Sequence, residues 1–440
     1  MVRKCSSPNG YWSERRTTPA WSGTREHTCN HKRTYMRTRS IVSATLLVGA
    51  TCLTVLATVA APVPAQPEAT AAPASVLTPA AIDSLVAAKM AEAGLMGVAG
   101  SVFVDGREVW SKGYGHRDYL RTQPFTPTTP MTIASISKTF TGVAMMRLVA
   151  EGKLDLDADV NRYLPFRVRN PRFPDIPITL RMIATHTSSI TDRWEVYRAT
   201  YHWGGDAPVS LSEFITSYFA PDGNGYPADN YTTVPPGRAR EYSNIGAGLV
   251  GFIIERVTGE RLDAYTQRHI LTPLGMHSTG WFLRDLPTAE LSTQFVEQEG
   301  WAIPVPRYGL TTYPDGGVRS TVSDLSRLFQ ALLNHGEHAG VRILPAAQAD
   351  EMTRFQFSGP AFPEGYGPDE GNSGLFWRTK RNGEFVGHGG SDPGVQTLML
   401  STVDRRVAVV LFSNTSGVLA GRAFNTIFLA LKAYGDSQVR

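Results

Sequence analysis

An α+β fold is predicted for the body of this chain: one antiparallel sheet formed from its N- and C-terminal segments, flanked by helices, with a mostly helical insertion between the two halves. Three observations predict it. The run Val98 to Val104, then Asp105-Gly106, then Arg107 to Tyr114 alternates apolar and polar residues around a two-residue turn, which is a strong hairpin signal. At the other end Glu384 to His388, Val395 to Thr402 and Val407 to Ser413 are β-rich runs, the first introduced by Asn382-Gly383 and the last two separated by Asp404-Arg405. Between the two ends there is no regular strand–helix alternation, which argues against a doubly wound parallel sheet. Ala80 to Ala93 reads as a helix before the first strands, and Gly421 to Tyr434 as a closing helix.

The chain has 440 residues, long enough for one large or two interleaved domains. Three segments are expected: an upstream region with an export signal over 1–65, a Pro/Ala-rich linker over 66–79, and the folded body over 80–440. No charged residue lies between Ile41 and Ala61, while Lys32, Arg33, Arg37 and Arg39 precede it and Val63-Pro64-Ala65 follows as a small-residue cleavage site. A retained membrane helix is the alternative, since about 20 apolar residues span a bilayer. Either way the body is expected outside the cytoplasm, secreted or anchored by its N-terminal segment. Met36 stands where a signal peptide would naturally begin.

The formal net charge of +4 comes from the N-terminus: residues 1–65 carry nine Lys or Arg against two Asp or Glu, leaving 34 basic against 37 acidic in the remainder. A body with no basic excess offers no footprint for a nucleic-acid backbone, so nucleic acid is excluded as a partner. Cys5, Cys29 and Cys52 all precede the cleavage point. The mature body therefore has neither disulfides nor a cysteine nucleophile.

Chemistry concentrates in three short motifs. Ser135-Ile136-Ser137-Lys138 opens an apolar helix, and at i and i+3 a lysine amine reaches a serine hydroxyl on the same face. Alone S-x-x-K is weak, recurring about once by chance in a chain this long. Tyr242-Ser243-Asn244 is the single Tyr-x-Asn of the chain and starts another apolar helix. A tyrosine hydroxyl between a lysine and the attacked group relays protons, and an asparagine amide can hold a substrate carbonyl. Gly387-His388-Gly389-Gly390-Ser391 ends a strand whose small residues let a substrate approach, and the Ser391 N–H can pair with the Ser135 N–H as an oxyanion hole.

Taken in the order S-x-x-K, Y-x-N and H-G-G, with gaps of 107 and 146 residues, these motifs resemble the active-site elements of class C β-lactamases, serine DD-peptidases and related esterases. The resemblance runs from about Val98 to Asn414 through Ser135 to Phe140, Glu151 to Asp157, Thr185-His186-Thr187-Ser188, Pro273 to Met276 and Asp392-Pro393-Gly394. It implies the β-lactamase/transpeptidase-like version of the fold, with Ser135 as nucleophile, Lys138 and Tyr242 as bases, Asn244 as a substrate amide contact and His388 as a wall of the cleft beside Gly389 and Gly390. No cofactor and no metal is implied, and the partner is a small-molecule or peptide substrate.

Other hydrolase classes lack their signatures. There is no G-x-S-x-G elbow and no H-E-x-x-H, and His186 reads as a loop-ordering residue in its Thr-His-Thr-Ser turn. Many relatives carry Lys-Thr-Gly where this chain has His388-Gly389-Gly390. With the hydroxyl gone and an imidazole whose ordinary pKa is about 6.5, carboxylate selection is expected to weaken. That shifts the expected activity from β-lactamase toward esterase, amidase or D-amino-acid peptidase, with His388 modulating carboxylate-bearing substrates. A non-turnover sensor of peptidoglycan or lactams is the alternative of another kind, and the intact Ser135, Lys138 and Tyr242 argue against it.

Overall fold

The computed structural model describes residues 77–223, 226–367 and 370–440. The proposed export signal and most of the linker lie outside these residues. The first helix starts one residue before the Ala80 read from the sequence, because Pro79 needs no donor in a first helical turn and the Thr78 hydroxyl accepts the Ala81 N–H at 3.2 Å. Helix α1 (Pro79–Ala93) then stops at Gly94, in left-handed backbone at φ +62°.

Strands β1 (Gly97–Val104) and β2 (Arg107–Gly115) form the expected hairpin. Asp105 and Gly106 both take positive φ, 48° and 77°, as a two-residue turn matched to strand twist requires. The C-terminal segment supplies four strands rather than three: β3 (Arg378–Lys380), β4 (Phe385–Asp392), β5 (Val395–Thr402) and β6 (Val407–Ser413). The six lie in the order β3-β4-β5-β6-β1-β2, antiparallel throughout, and β6 closes onto β1 from Val98↔Ser413 to Val104↔Val407. The sheet is built from the two chain ends, as expected. Strand β3 was not anticipated, and β4 runs four residues past His388.

Both faces of the sheet are covered. Val98 and Val102 on β1, with Leu411 on β6, join Ile82 and Val86 of α1 and Phe428 and Leu431 of the closing helix Val418–Gln438. The intervening residues Ala99, Phe103, Val410 and Phe412 join the larger core that includes Phe140 and Met145. Strand alternation thus sends neighbouring residues into different cores.

The insertion carries helix α2 (Ser137–Ala150), buried around nearly its whole circumference, and helix α3 (Asn244–Thr258) packed near it. The sequence places the first helical residue of α2 at Ser135. In the structure Ser135 instead sits in a 3₁₀ turn, Ala134–Ile136, just ahead of the α-helix. The Ser137 hydroxyl fixes this junction by donating to Ala134 O at 2.7 Å and accepting the Val318 N–H at 2.9 Å. Among the described residues no helix is long and apolar enough to cross a membrane.

Candidate active site

Ser135 stands on the turn that feeds α2, and Ala134 before it holds φ +48°, a left-handed conformation that non-glycine residues adopt at a cost. The turn is pinned to the sheet where the Thr397 hydroxyl of β5 donates to Ile133 O at 3.0 Å. Strand β4 passes so close that a Cβ on Gly390 would lie 2.3 Å from Ile133 O and 3.2 Å from the Ala134 Cβ. Glycine at 390 is therefore what lets Ser391 and Ser135 border one cleft. The two backbone N–H groups proposed as an oxyanion hole come from these two segments.

Lys138 is completely buried one turn along from Ser135. Its ammonium donates to Asn244 Oδ1 at 2.7 Å, to Asp315 O at 2.8 Å and to Ser135 Oγ at 3.3 Å. Three donors meet three acceptors, so the buried ammonium leaves none of its N–H groups unsatisfied. The i, i+3 spacing read from the sequence thus brings the two side chains together.

Tyr242 precedes α3, whose N-cap Ser243 accepts the Gly246 N–H at 2.8 Å. Lys138 Nζ lies 5.0 Å from the Tyr242 ring centre, and the guanidinium carbons of Arg378 and Arg240 lie at 5.0 and 5.7 Å. No hydrogen bond of acceptable geometry reaches the Tyr242 hydroxyl, yet it is close enough to Ser135 and Lys138 for both to favour its phenolate. Burial is the strongest single influence and opposes ionisation, but the Lys138 and Arg378 charges together with the nearby Ser135 and Lys138 donors hold the pKa below the ordinary tyrosine value.

Beneath Tyr242 lies His186, its ring centre 4.2 Å away and its backbone at φ +60°. His186 Nδ1 accepts the Ser243 N–H at 3.2 Å and its carbonyl accepts the Glu241 N–H at 2.7 Å. Burial and the cations Arg240 and Lys138 keep it neutral. It orders the loop, as expected, by supporting the tyrosine from below.

Asn244 stands beside Lys138 in a different capacity from the substrate contact expected. Its Oδ1 accepts from Lys138 while its Nδ2 donates to Asp192 Oδ2 at 2.9 Å, so the amide links two internal groups. Asp192 escaped the sequence reading. It accepts from the Ser243 hydroxyl at 2.7 Å and from the backbone N–H groups of Asn244 and Ile245 at 2.8 and 3.0 Å, anchoring the Tyr-Ser-Asn segment.

His388 differs most from its expectation. The ring is fully buried and does not border the cleft; Nδ1 donates to Gly389 O at 2.7 Å, and Nε2 has no partner. Burial, reinforced by Arg378 and Lys138, drives its pKa well below 6.5, so it brings no charge to substrate near neutral pH. The cleft's positive side chains come from the unanticipated strand β3, as Arg378 and Lys380.

The cleft has a volume of about 410 Å³, enough for a small acyl compound, and is bordered by Ser135, Tyr242, Gly389, Gly390 and Ser391. A larger groove of about 560 Å³ beside Met90, His116 and Trp301 contains none of these groups, so volume alone does not mark the site.

The β-lactamase family profile matches residues 82–434, nearly the whole described body and every residue of the site described above. The chain belongs to the β-lactamase family. Penicillin-binding protein 4* of Bacillus subtilis is 25% identical over 320 residues, covering 70% of this chain and 65% of its own length. Human mitochondrial serine β-lactamase-like protein LACTB is 43% identical over 100 residues, covering 22% of this chain and 18% of its own. The chain therefore spans less than two thirds of these relatives. Among solved structures, the octameric penicillin-binding protein homologue from Pyrococcus abyssi matches with a TM-score of 0.62 and 27% identity over 80% of this chain and 76% of its own. D-amino acid amidase from Ochrobactrum anthropi SV3 matches with 0.63 and 21% over 81% and 98%, and a class C β-lactamase with 0.60 and 20% over 82% and 95%. The last two similarities support the β-lactamase-family fold alone.

The cations around Tyr242 generate a test with a definite sign. With Tyr242 proposed as the base, which must be deprotonated to work, kcat/KM should fall as pH drops through the Tyr242 pKa. Arg378→Gln removes one positive neighbour, favours the neutral phenol, and should displace the acidic limb of the kcat/KM profile toward higher pH. Profiles on a neutral ester for both proteins check this. A limb that stays in place would mean that another group titrates.

Proposed function

We propose that this β-lactamase-family chain is a secreted serine hydrolase that opens ester or amide bonds through an acyl-enzyme on Ser135, acting as an esterase, amidase or D-amino-acid peptidase. One observation carries the reading: the Ser135 hydroxyl meets the Lys138 ammonium at 3.3 Å, beside a tyrosine whose ionisation is favoured by neighbouring cations. The Tyr242 phenolate takes the proton as Ser135 Oγ bonds to the substrate carbonyl carbon. In this reading Lys138 stabilises that phenolate rather than acting as the second base expected from the sequence, and the Ser135 and Ser391 N–H groups hold the developing oxyanion. The protonated Tyr242 then returns its proton to the departing alcohol or amine. Water repeats the sequence on the acyl-enzyme, releasing the acid and restoring Ser135. The D-amino acid amidase likeness is compatible with this range of bonds.

A serine-reactive phosphonate should label one peptide, the one containing Ser135, in mass spectrometry. Ser135→Ala should be inactive, and Tyr242→Phe should lose on the order of 10²-fold or more in kcat. Full activity in Ser135→Ala would overturn the mechanism. Stable labelling by a lactam without release of product would instead favour the non-turnover sensor.

Export is proposed from the charge-free run Ile41 to Ala61 and the small residues after it. Protein recovered from the native host should begin near Gln66 by N-terminal sequencing. A product that retains residues 41–61 in the membrane fraction would establish the anchored form.

A further inference from the structure

Beside the cleft the chain binds one of its own carboxylates in a cluster of cations. Glu370 Oε2 pairs with Arg240 at 2.5 Å, while Glu370 Oε1 pairs with Arg378 and lies 3.8 Å from Lys380 Nζ. All four side chains are largely shielded from water, with relative exposures between 14 and 23%. Two of the three cations, Arg378 and Lys380, border the same cleft as Ser135, and Arg378 and Arg240 both lie over the Tyr242 ring. Arginine–carboxylate pairs of this kind are strong and directional, so the donors aimed at Glu370 are committed to it. A substrate carboxylate entering this corner finds its natural partners already engaged.

We propose that Glu370 is a specificity-determining residue: from beside the cleft its carboxylate occupies Arg378 and Lys380, the cations that border it, so the site favours neutral substrates and admits an anionic one only in exchange for Glu370. An anion is disfavoured by competition for the donors that Glu370 engages. Removing the Glu370 charge should convert the corner into an anion site held by Arg378, Lys380 and Arg240. This inference rests on the hydrolase reading only for its turnover measurement, and a binding measurement on inactive protein stands apart from that reading.

Two esters with the same leaving group, para-nitrophenyl acetate and mono-para-nitrophenyl succinate, differ in carrying no carboxylate or one. The ratio of kcat/KM for the anionic ester to that for the neutral one should rise at least tenfold in Glu370→Gln, chiefly through KM. The gain should disappear in Glu370→Gln combined with Arg378→Gln. Independently, benzoate should bind Ser135→Ala protein more tightly when Glu370→Gln is added, while benzamide should not, as read by titration calorimetry. If neither ester turns over but benzoate responds in this way, the hydrolase reading fails and the present inference stands. Glu370→Asp, which keeps the charge but draws it back by one methylene, should give an intermediate ratio and benzoate affinity, and it decides the matter if the Gln protein does not fold. An unchanged ester ratio together with unchanged benzoate affinity would overturn the proposal.

Discussion

The buried ammonium of Lys138 is the interaction on which the site's geometry depends. Removing an ammonium from water costs several kcal/mol, and that cost is offset only when every donor finds an acceptor. Here the three acceptors come from three separated parts of the chain: the turn before α2, the start of α3 and the backbone at Asp315. Loss of any one would leave a buried ammonium N–H without an acceptor. The same requirement fixes Asn244, whose amide must turn its oxygen to Lys138 and its nitrogen to Asp192. Asp192 in turn holds the first residues of α3, so the position of Tyr242 is tied to the hydrogen bonding of a lysine on another helix.

A second layer of charge lies around that core. Tyr242 is approached by Lys138, Arg378 and Arg240, and Glu370 is the carboxylate that pairs with two of these three cations. The body as a whole carries a slight acidic excess, so the positive character of the cleft is local. Buried acids nearby respond to the same setting. Burial raises Asp315 to about 7 despite the nearby Lys138, with its Oδ1 accepting from the Tyr197 hydroxyl at 3.0 Å. Asp392, next to Ser391 on β4, is raised by burial to about 6 and accepts from the hydroxyls of Tyr201 and Tyr308 at 2.8 and 2.6 Å.

What could be read from the sequence was what local geometry dictates. Ser135 and Lys138 lie one turn apart, so their meeting needed no knowledge of the fold, and Asp105-Gly106 imposed the first hairpin. The strands at the two chain ends were visible because their β-rich runs are punctuated by the turn pairs Asp105-Gly106, Asn382-Gly383 and Asp404-Arg405. The rest depends on pairings across long stretches of chain. Nothing in the sequence near Asp192 announces that it caps residues 243–245, and nothing near Glu370 announces three cations drawn from residues 240, 378 and 380. His388 shows the same limit from the other side. Its motif placed it correctly on β4, but which face of that strand borders the cleft is set by what packs against each face, and the motif does not carry that information. The alternation Arg378-Thr379-Lys380 ahead of Asn382-Gly383 was the available sign of a hairpin partner that would bring two cations to the site.

The central claim is that a cation-surrounded Tyr242 ionises more readily than an ordinary tyrosine and serves as the proton acceptor for Ser135. Near-ultraviolet titration of tyrosine ionisation, as the difference between the wild-type protein and Tyr242→Phe, tests it most directly. The account predicts a difference signal equal to one tyrosine with its midpoint below the ordinary value of about 10. A midpoint at or above that value would contradict it, because the buried hydroxyl would then hold its proton under the conditions in which the base must work.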